Sequence, residues 1–130
     1  MSASERRRVS TDRAPAAIGP YAQAIAARGL LFTSGQIGLD PSTGELVEGG
    51  TREQVERVME NLAAVLEAAG TGFDRVVKAT IFLVDLADFA VVNEVYGRWF
   101  AGMTPPARST LQVAALPRGA RVEIELVALI

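Results

Sequence analysis

The C-terminal stretch Arg121-Val122-Glu123-Ile124-Glu125-Leu126-Val127-Ala128-Leu129-Ile130 decides the fold. Its side chains alternate with period two, the signature of a β-strand. Val122, Ile124, Leu126, Ala128 and Ile130 share one side and form a core face. Glu123, Glu125, Val127 and Leu129 share the other, which begins acidic and ends apolar. A purely solvated face would not carry Val127 and Leu129, and a buried one would not carry two glutamates. The strand therefore belongs to a sheet with one covered face and one face that is only partly wet.

Working outward, residues 107–113 read as the preceding strand, joined through Leu116-Pro117-Arg118-Gly119. Residues 75–84 are rich in Val, Ile, Thr and Phe, with both faces largely apolar, which predicts a central strand covered on both sides. Thr51-Arg52-Glu53-Gln54 has the form of a capping box, and Val55, Val58, Met59, Leu62, Leu66 and Ala69 follow at helical spacing up to Gly70. Asp85 or Asp88 caps a second helix, whose buried stripe is Phe89, Val92, Tyr96, Trp99, Phe100 and Met103. Pro105-Pro106 stops it. Residues 18–27 and 30–37 read as a hairpin about Arg28-Gly29. Val9 to Thr11 adds at most a short edge strand.

The order β-β-α-β-α-β-β predicts an α+β domain, one mixed sheet with two helices packed on one face. Residues 17–130 form that domain, and residues 1–16 are a partly flexible N-terminal segment. Two helices cover one face only, so the apolar part of the other predicts an oligomer built on the sheet.

Composition narrows the chemistry. The chain has 130 residues, 49% hydrophobic and 22% charged, with no Cys and no His. Thiol nucleophiles, disulfides and a Ser-His-Asp relay are excluded, and no metal-ligand cluster is evident. Thirteen Lys+Arg against 15 Asp+Glu give a net charge of −2, which argues against nucleic-acid or anionic-membrane binding. The cluster Arg6-Arg7-Arg8 reads as a solvated, frayed tail. No apolar run has the length of a signal peptide core or a membrane span, so a cytoplasmic location is expected.

The remaining reactive groups are few. Arg108 follows the stiff approach Thr104-Pro105-Pro106-Ala107 and offers a fork that matches a carboxylate. Glu123 lies between Val122 and Ile124, where partial desolvation would raise its pKa. Glu125 shares its face, and spacing alone does not choose between them. Ser34-Gly35 ends an apolar strand, and Gly35 allows close approach to the backbone. Tyr21 could wall a pocket, and Asn93 lies near the stripe of the second helix.

Taken together, Ile18-Gly19-Pro20-Tyr21, Thr33-Ser34-Gly35-Gln36-Ile37, Pro106-Ala107-Arg108-Ser109 and Val122-Glu123-Ile124-Glu125 resemble the RidA (YjgF/YER057c/UK114) family of reactive enamine/imine deaminases. The resemblance runs from about Ala17 to Ile130. It implies a chorismate-mutase-like fold and a homotrimer with sheets inward and a site in each cleft between subunits. It implies cofactor-free hydrolysis of 2-iminobutanoate and 2-iminopropanoate, which leave pyridoxal-phosphate-dependent dehydratases, to 2-oxo acids and ammonia. By position, Arg108 would clamp the substrate carboxylate and Glu123 would be the acid/base group. Tyr21, Ser34, Gly35, Asn93 and Thr110 would line the site. Thr110 stands where many relatives have Cys. The rival readings are a non-catalytic module for 2-oxo acids, a ribonuclease and a chaperone-like protein.

Overall fold

A computed structural model describes residues 5–130. The elements are β1 (Arg7–Val9), β2 (Ala24–Ala27), β3 (Leu30–Thr33), α1 (Thr51–Ala68), β4 (Val76–Leu83), α2 (Phe89–Arg98), β5 (Ala107–Gln112) and β6 (Val122–Leu129). One six-stranded sheet has the order β1-β2-β3-β6-β4-β5. Among the described residues, only β4 and β5 are parallel neighbours. β3 and β4 both run antiparallel to β6 between them, so α1 and α2 are successive crossovers advancing the same way across the sheet. The right-handed preference of such crossovers puts both helices on one face. The expected α+β architecture is present.

β6 is a central strand, and its alternation is the one read from the sequence. Val122, Ile124, Leu126 and Ala128 are buried under α1, with Val55, Val58, Met59, Leu62 and Leu66 on the helix side. On the other face Phe32, Leu111 and Leu129 stay about two-fifths exposed. β4 lies inside the sheet as expected, yet only its helix-facing side is buried in one chain. Val77, at a bulge in its pairing with β6, is 41% exposed.

Several boundaries differ from the sequence reading, each for a local reason. The N-terminal strand comes two residues early and pairs Arg7, Arg8 and Val9 with Ala26, Ile25 and Ala24. Arg7 and Arg8 are therefore part of a sheet edge, not a frayed tail. The first four residues of the N-terminal segment lie outside the described residues. Residues 18–21 are not strand: Gly19 takes φ 123° and its carbonyl accepts from the Tyr21 N–H at 2.9 Å, turning the chain. The hairpin at Arg28-Gly29 is present, with φ 51° and 76°, the pair of positive values a two-residue type I′ turn needs.

The cap of α1 is shifted by one residue. Gly50 is the N-cap, and Glu53 accepts its N–H at 2.8 Å. That bond holds the Glu53 carboxyl below its usual range. The Thr51 hydroxyl instead donates to Asp88 Oδ2 at 2.8 Å. Asp85 caps the short turn Leu86–Asp88 by accepting from the Ala87 N–H. Asp88, at the N-cap of α2, makes no cap bond and receives Arg121 Nη2 at 2.7 Å and Nε at 3.1 Å. One acid thus joins the starts of α1, α2 and β6. With its side chain only 20% exposed, Asp88→Ala should cost about 1–3 kcal/mol and lower Tm, a loss thermal melting would register.

α2 ends at Arg98, earlier than the prolines, through a turn that closes on Gly102 at φ 78°. Val92, Tyr96 and Phe100 are buried as expected. Trp99 and Met103 pack at the edge of the core. Phe89 leaves the stripe and is 39% exposed.

Candidate active site

The register of the sheet fixes where each candidate points. Arg108 and Thr110 on β5 pair with Ala79 and Ile81 of β4, which are buried beneath the helices. Both residues therefore belong to the helix side. Glu123 on β6 pairs with Phe82, on the open side. Within one chain the two proposed catalytic groups occupy opposite faces of the sheet, two strands apart.

On the helix side, α2 meets the exposed end of β5. Arg108 Nη1 donates to Asn93 Oδ1 at 2.7 Å. The guanidinium carbon stands 5.1 Å from the Tyr96 ring centre and 5.5 Å from that of Phe89, within cation–π range. Asn93 thus acts on Arg108. Burial raises the Tyr96 phenol pKa, and the Arg108 charge opposes that shift. The Tyr96 hydroxyl and Thr110 Oγ1 are buried without a hydrogen-bond partner among the described residues, and such groups favour a ligand or water that satisfies them.

On the open side, β3 leaves its partner early. Thr33 Oγ1 accepts the Leu126 N–H at 2.9 Å, and the strand rejoins β6 only at Gln36, through a reciprocal backbone pair with Ile124. The resulting bulge holds Ser34 and Gly35 and makes room for the Glu123 carboxylate, as bulges beside functional sites do. A Cβ at Gly35 would fall inside contact distance of Glu123 Oε2 and 2.7 Å from its Cδ. Burial, then the neighbouring Glu125 charge, pushes the Glu123 carboxyl above its usual range.

Glu123, Gly35 and Tyr21 line a cavity of about 320 Å³, closed by Ile37, Leu39 and Pro117, a size suited to a small metabolite. Buried amides hold its walls. Asn61 Nδ2 donates to the Leu39 carbonyl at 3.0 Å. Gln23 receives the Thr11 N–H and donates to the Thr11 and Pro15 carbonyls at 3.0 and 2.8 Å. The Ser34 hydroxyl donates to the Ala22 carbonyl at 2.6 Å, so towards a ligand it is left as an acceptor. Arg118 also lines the cavity, at φ 61°. The sequence presented it only as part of a connecting turn, and its positive φ has no signal in the residue type.

Gly35→Ala should leave the fold intact, because the clashing atoms, Oε2, Cδ and Cγ, all belong to the one flexible side chain of Glu123. It should displace the Glu123 carboxylate, and turnover that depends on that carboxylate should fall about tenfold or more. Parallel melting and turnover measurements separate the two effects.

Arg108 on one face and Glu123 on the other describe a class: a small α+β protein with a cationic group and an acidic group on the two sides of one mixed sheet. The family model described as Endoribonuclease L-PSP matches residues 11–130. Protein DfrA of Myxococcus xanthus is 59% identical over 125 residues, covering 95% of each chain. The mouse 2-iminobutanoate/2-iminopropanoate deaminase is 52% identical over 128 residues, 98% of this chain and 94% of the mouse protein. The crystal structure of YyfA, a Rid-family protein of Yersinia pestis, superposes with a TM-score of 0.95 at 47% identity, covering 97% of this chain and all of that one. The chain belongs to this family, the RidA family.

Proposed function

We propose that this protein is a 2-iminobutanoate/2-iminopropanoate deaminase acting as a homotrimer with its sheets inward. It hydrolyses 2-imino acids, and the enamines that tautomerise to them, to 2-oxo acids and ammonia. The observation that carries this reading is the similarity to the mouse deaminase over 98% of the chain. The placement of the two groups agrees with it. An open sheet face with exposed Phe32, Leu111 and Leu129 is a surface for a second copy. Arg108 lies on the helix side of β5, an edge strand, so a neighbour packed on the open face and reaching around that edge would bring its Glu123 to Arg108.

The chemistry suits this sparse residue set. A protonated imine is already an electrophile, so neither a covalent nucleophile nor a cofactor is required. Arg108 fixes the substrate carboxylate. Glu123, ionised, orients water on the C=N carbon and takes its proton. Glu123 returns that proton to the nitrogen, then takes the remaining hydroxyl proton as the C–N bond breaks and the C=O bond forms, and the departing ammonia picks that proton up, giving ammonium and the 2-oxo acid. Tyr21, Ser34, Gly35, Asn93 and Thr110 complete the walls and the support. The substrates are those that pyridoxal-phosphate-dependent dehydratases release, and the location is the cytoplasm. No helix among the described residues is long and apolar enough to cross a membrane.

A threonine dehydratase generating 2-iminobutanoate, with semicarbazide trapping what remains, tests the proposal. Catalytic amounts of the protein should speed 2-oxobutanoate release and lower the trapped fraction. Unchanged decay, or binding of 2-oxobutanoate without turnover, would reject the enzyme reading in favour of a binding module.

A further inference from the structure

We infer that Phe89 is a positioning residue for Arg108, holding the guanidinium so that one whole edge faces the ligand carboxylate; this rests on the proposed role of Arg108. A ring at the first position of α2 that leaves 39% of its surface exposed contributes little to the core. It lies instead 5.5 Å from the guanidinium carbon of Arg108. Tyr96, only 5% exposed, meets the same group at 5.1 Å from the buried side. Asn93 Oδ1 accepts a hydrogen bond from Nη1. Phe89, Asn93 and Tyr96 fall at i, i+4 and i+7, one stripe of α2.

An arginine side chain at a strand end is free to swing, and a fork pays off only when its plane is fixed. Two ring contacts and one hydrogen bond supply that restraint. The bond to Asn93 uses Nη1, so the Nε–H and Nη2–H edge remains whole. Those two parallel donors match the two oxygens of a carboxylate. Tyr96 and Asn93 belong to the buried or polar side of this arrangement, and Phe89 closes it from solvent. Phe89 is also the member whose truncation opens no cavity in the core.

The test uses the full chain, with 2-oxobutanoate as probe in calorimetry and 2-iminobutanoate in turnover. Phe89→Leu should melt with the wild type, raise the 2-oxobutanoate Kd and the imine KM about three- to tenfold, and change kcat less than twofold. Phe89→Tyr, which keeps the ring face, should restore both constants. Wild-type constants in Phe89→Leu, or no recovery in Phe89→Tyr, would overturn the inference, as would a wild type that binds no 2-oxobutanoate. A wild type that binds 2-oxobutanoate without turning over imine would sink the deaminase reading alone, and the Phe89 variants would still decide this one by their Kd.

Discussion

Arg108→Ala is expected to lower kcat/KM for 2-iminobutanoate by about 10²–10⁴-fold. Two charge-assisted hydrogen bonds to a carboxylate contribute about 1.5–3 kcal/mol each, and every 1.36 kcal/mol is about a tenfold factor in rate. Both constants should move. KM rises because the clamp is gone, and kcat falls because water and imine lose their shared orientation. Stability should change by about 1 kcal/mol at most: among the described residues the side chain makes one hydrogen bond, to exposed Asn93, and its ring contacts with Tyr96 and Phe89 lie near the surface. Arg108→Lys should recover only part of the activity, since an ammonium is a point charge without the planar fork. Trapping kinetics in which Arg108→Ala equals the wild type would remove the clamp from the mechanism.

Glu123→Gln is the second large effect, about 10²–10⁴-fold in kcat with little change in KM, the range expected for a positioned acid/base group. Its pH behaviour is distinctive. The folded chain raises the Glu123 pKa above 4.5, chiefly through burial, so the wild-type rate should fall on acidification at a pH above the ordinary carboxylate range. The variant should lack that limb, once spontaneous imine decay is subtracted. Stability should move the other way. A raised pKa means the native state binds the proton more tightly than the unfolded chain. Between the unfolded and folded pKa values, stability therefore declines as pH rises. At neutral pH the half-buried carboxylate is a net burden, and Glu123→Gln should melt slightly above the wild type. The gap should close below pH 4.5. A variant that keeps full turnover, or whose acid limb matches the wild type, would contradict the assignment.

Much of the fold was legible because its signals are local. The alternation of residues 122–130, the helical spacing from Val55 to Leu66 and the Arg28-Gly29 turn each depend on near neighbours, and each appears in the structure. The misreadings involve distant partners. Thr51 has the chemistry of a cap, yet its hydroxyl goes to an acid 37 residues away. Residues 34–37 read as the small, polar end of the same strand, yet the Thr33 hydroxyl takes over a backbone bond and the strand bulges. Motif resemblance pointed to Arg108 and Glu123, but not to their placement on opposite faces. That depends on the parallel register of β5 against β4, which no sequence spacing specifies. Periodicity places Phe89 in the core stripe, but at the first turn of α2 it stays 39% exposed, against the Arg108 guanidinium.

On the proposed mechanism, a chain that keeps its cation on one side of a sheet and its acid on the other is not a complete catalyst by itself. Arg108→Ala and Glu123→Gln, both expected to be strongly impaired, would each retain the half the other lacks. Unfolded together and refolded as hybrids, they should regain activity in about a quarter of the clefts, the fraction in which both intact halves meet by random assortment in a closed ring. Complementation between two impaired proteins would then be a property of the genotype mixture, and dilution that separates the copies would abolish it.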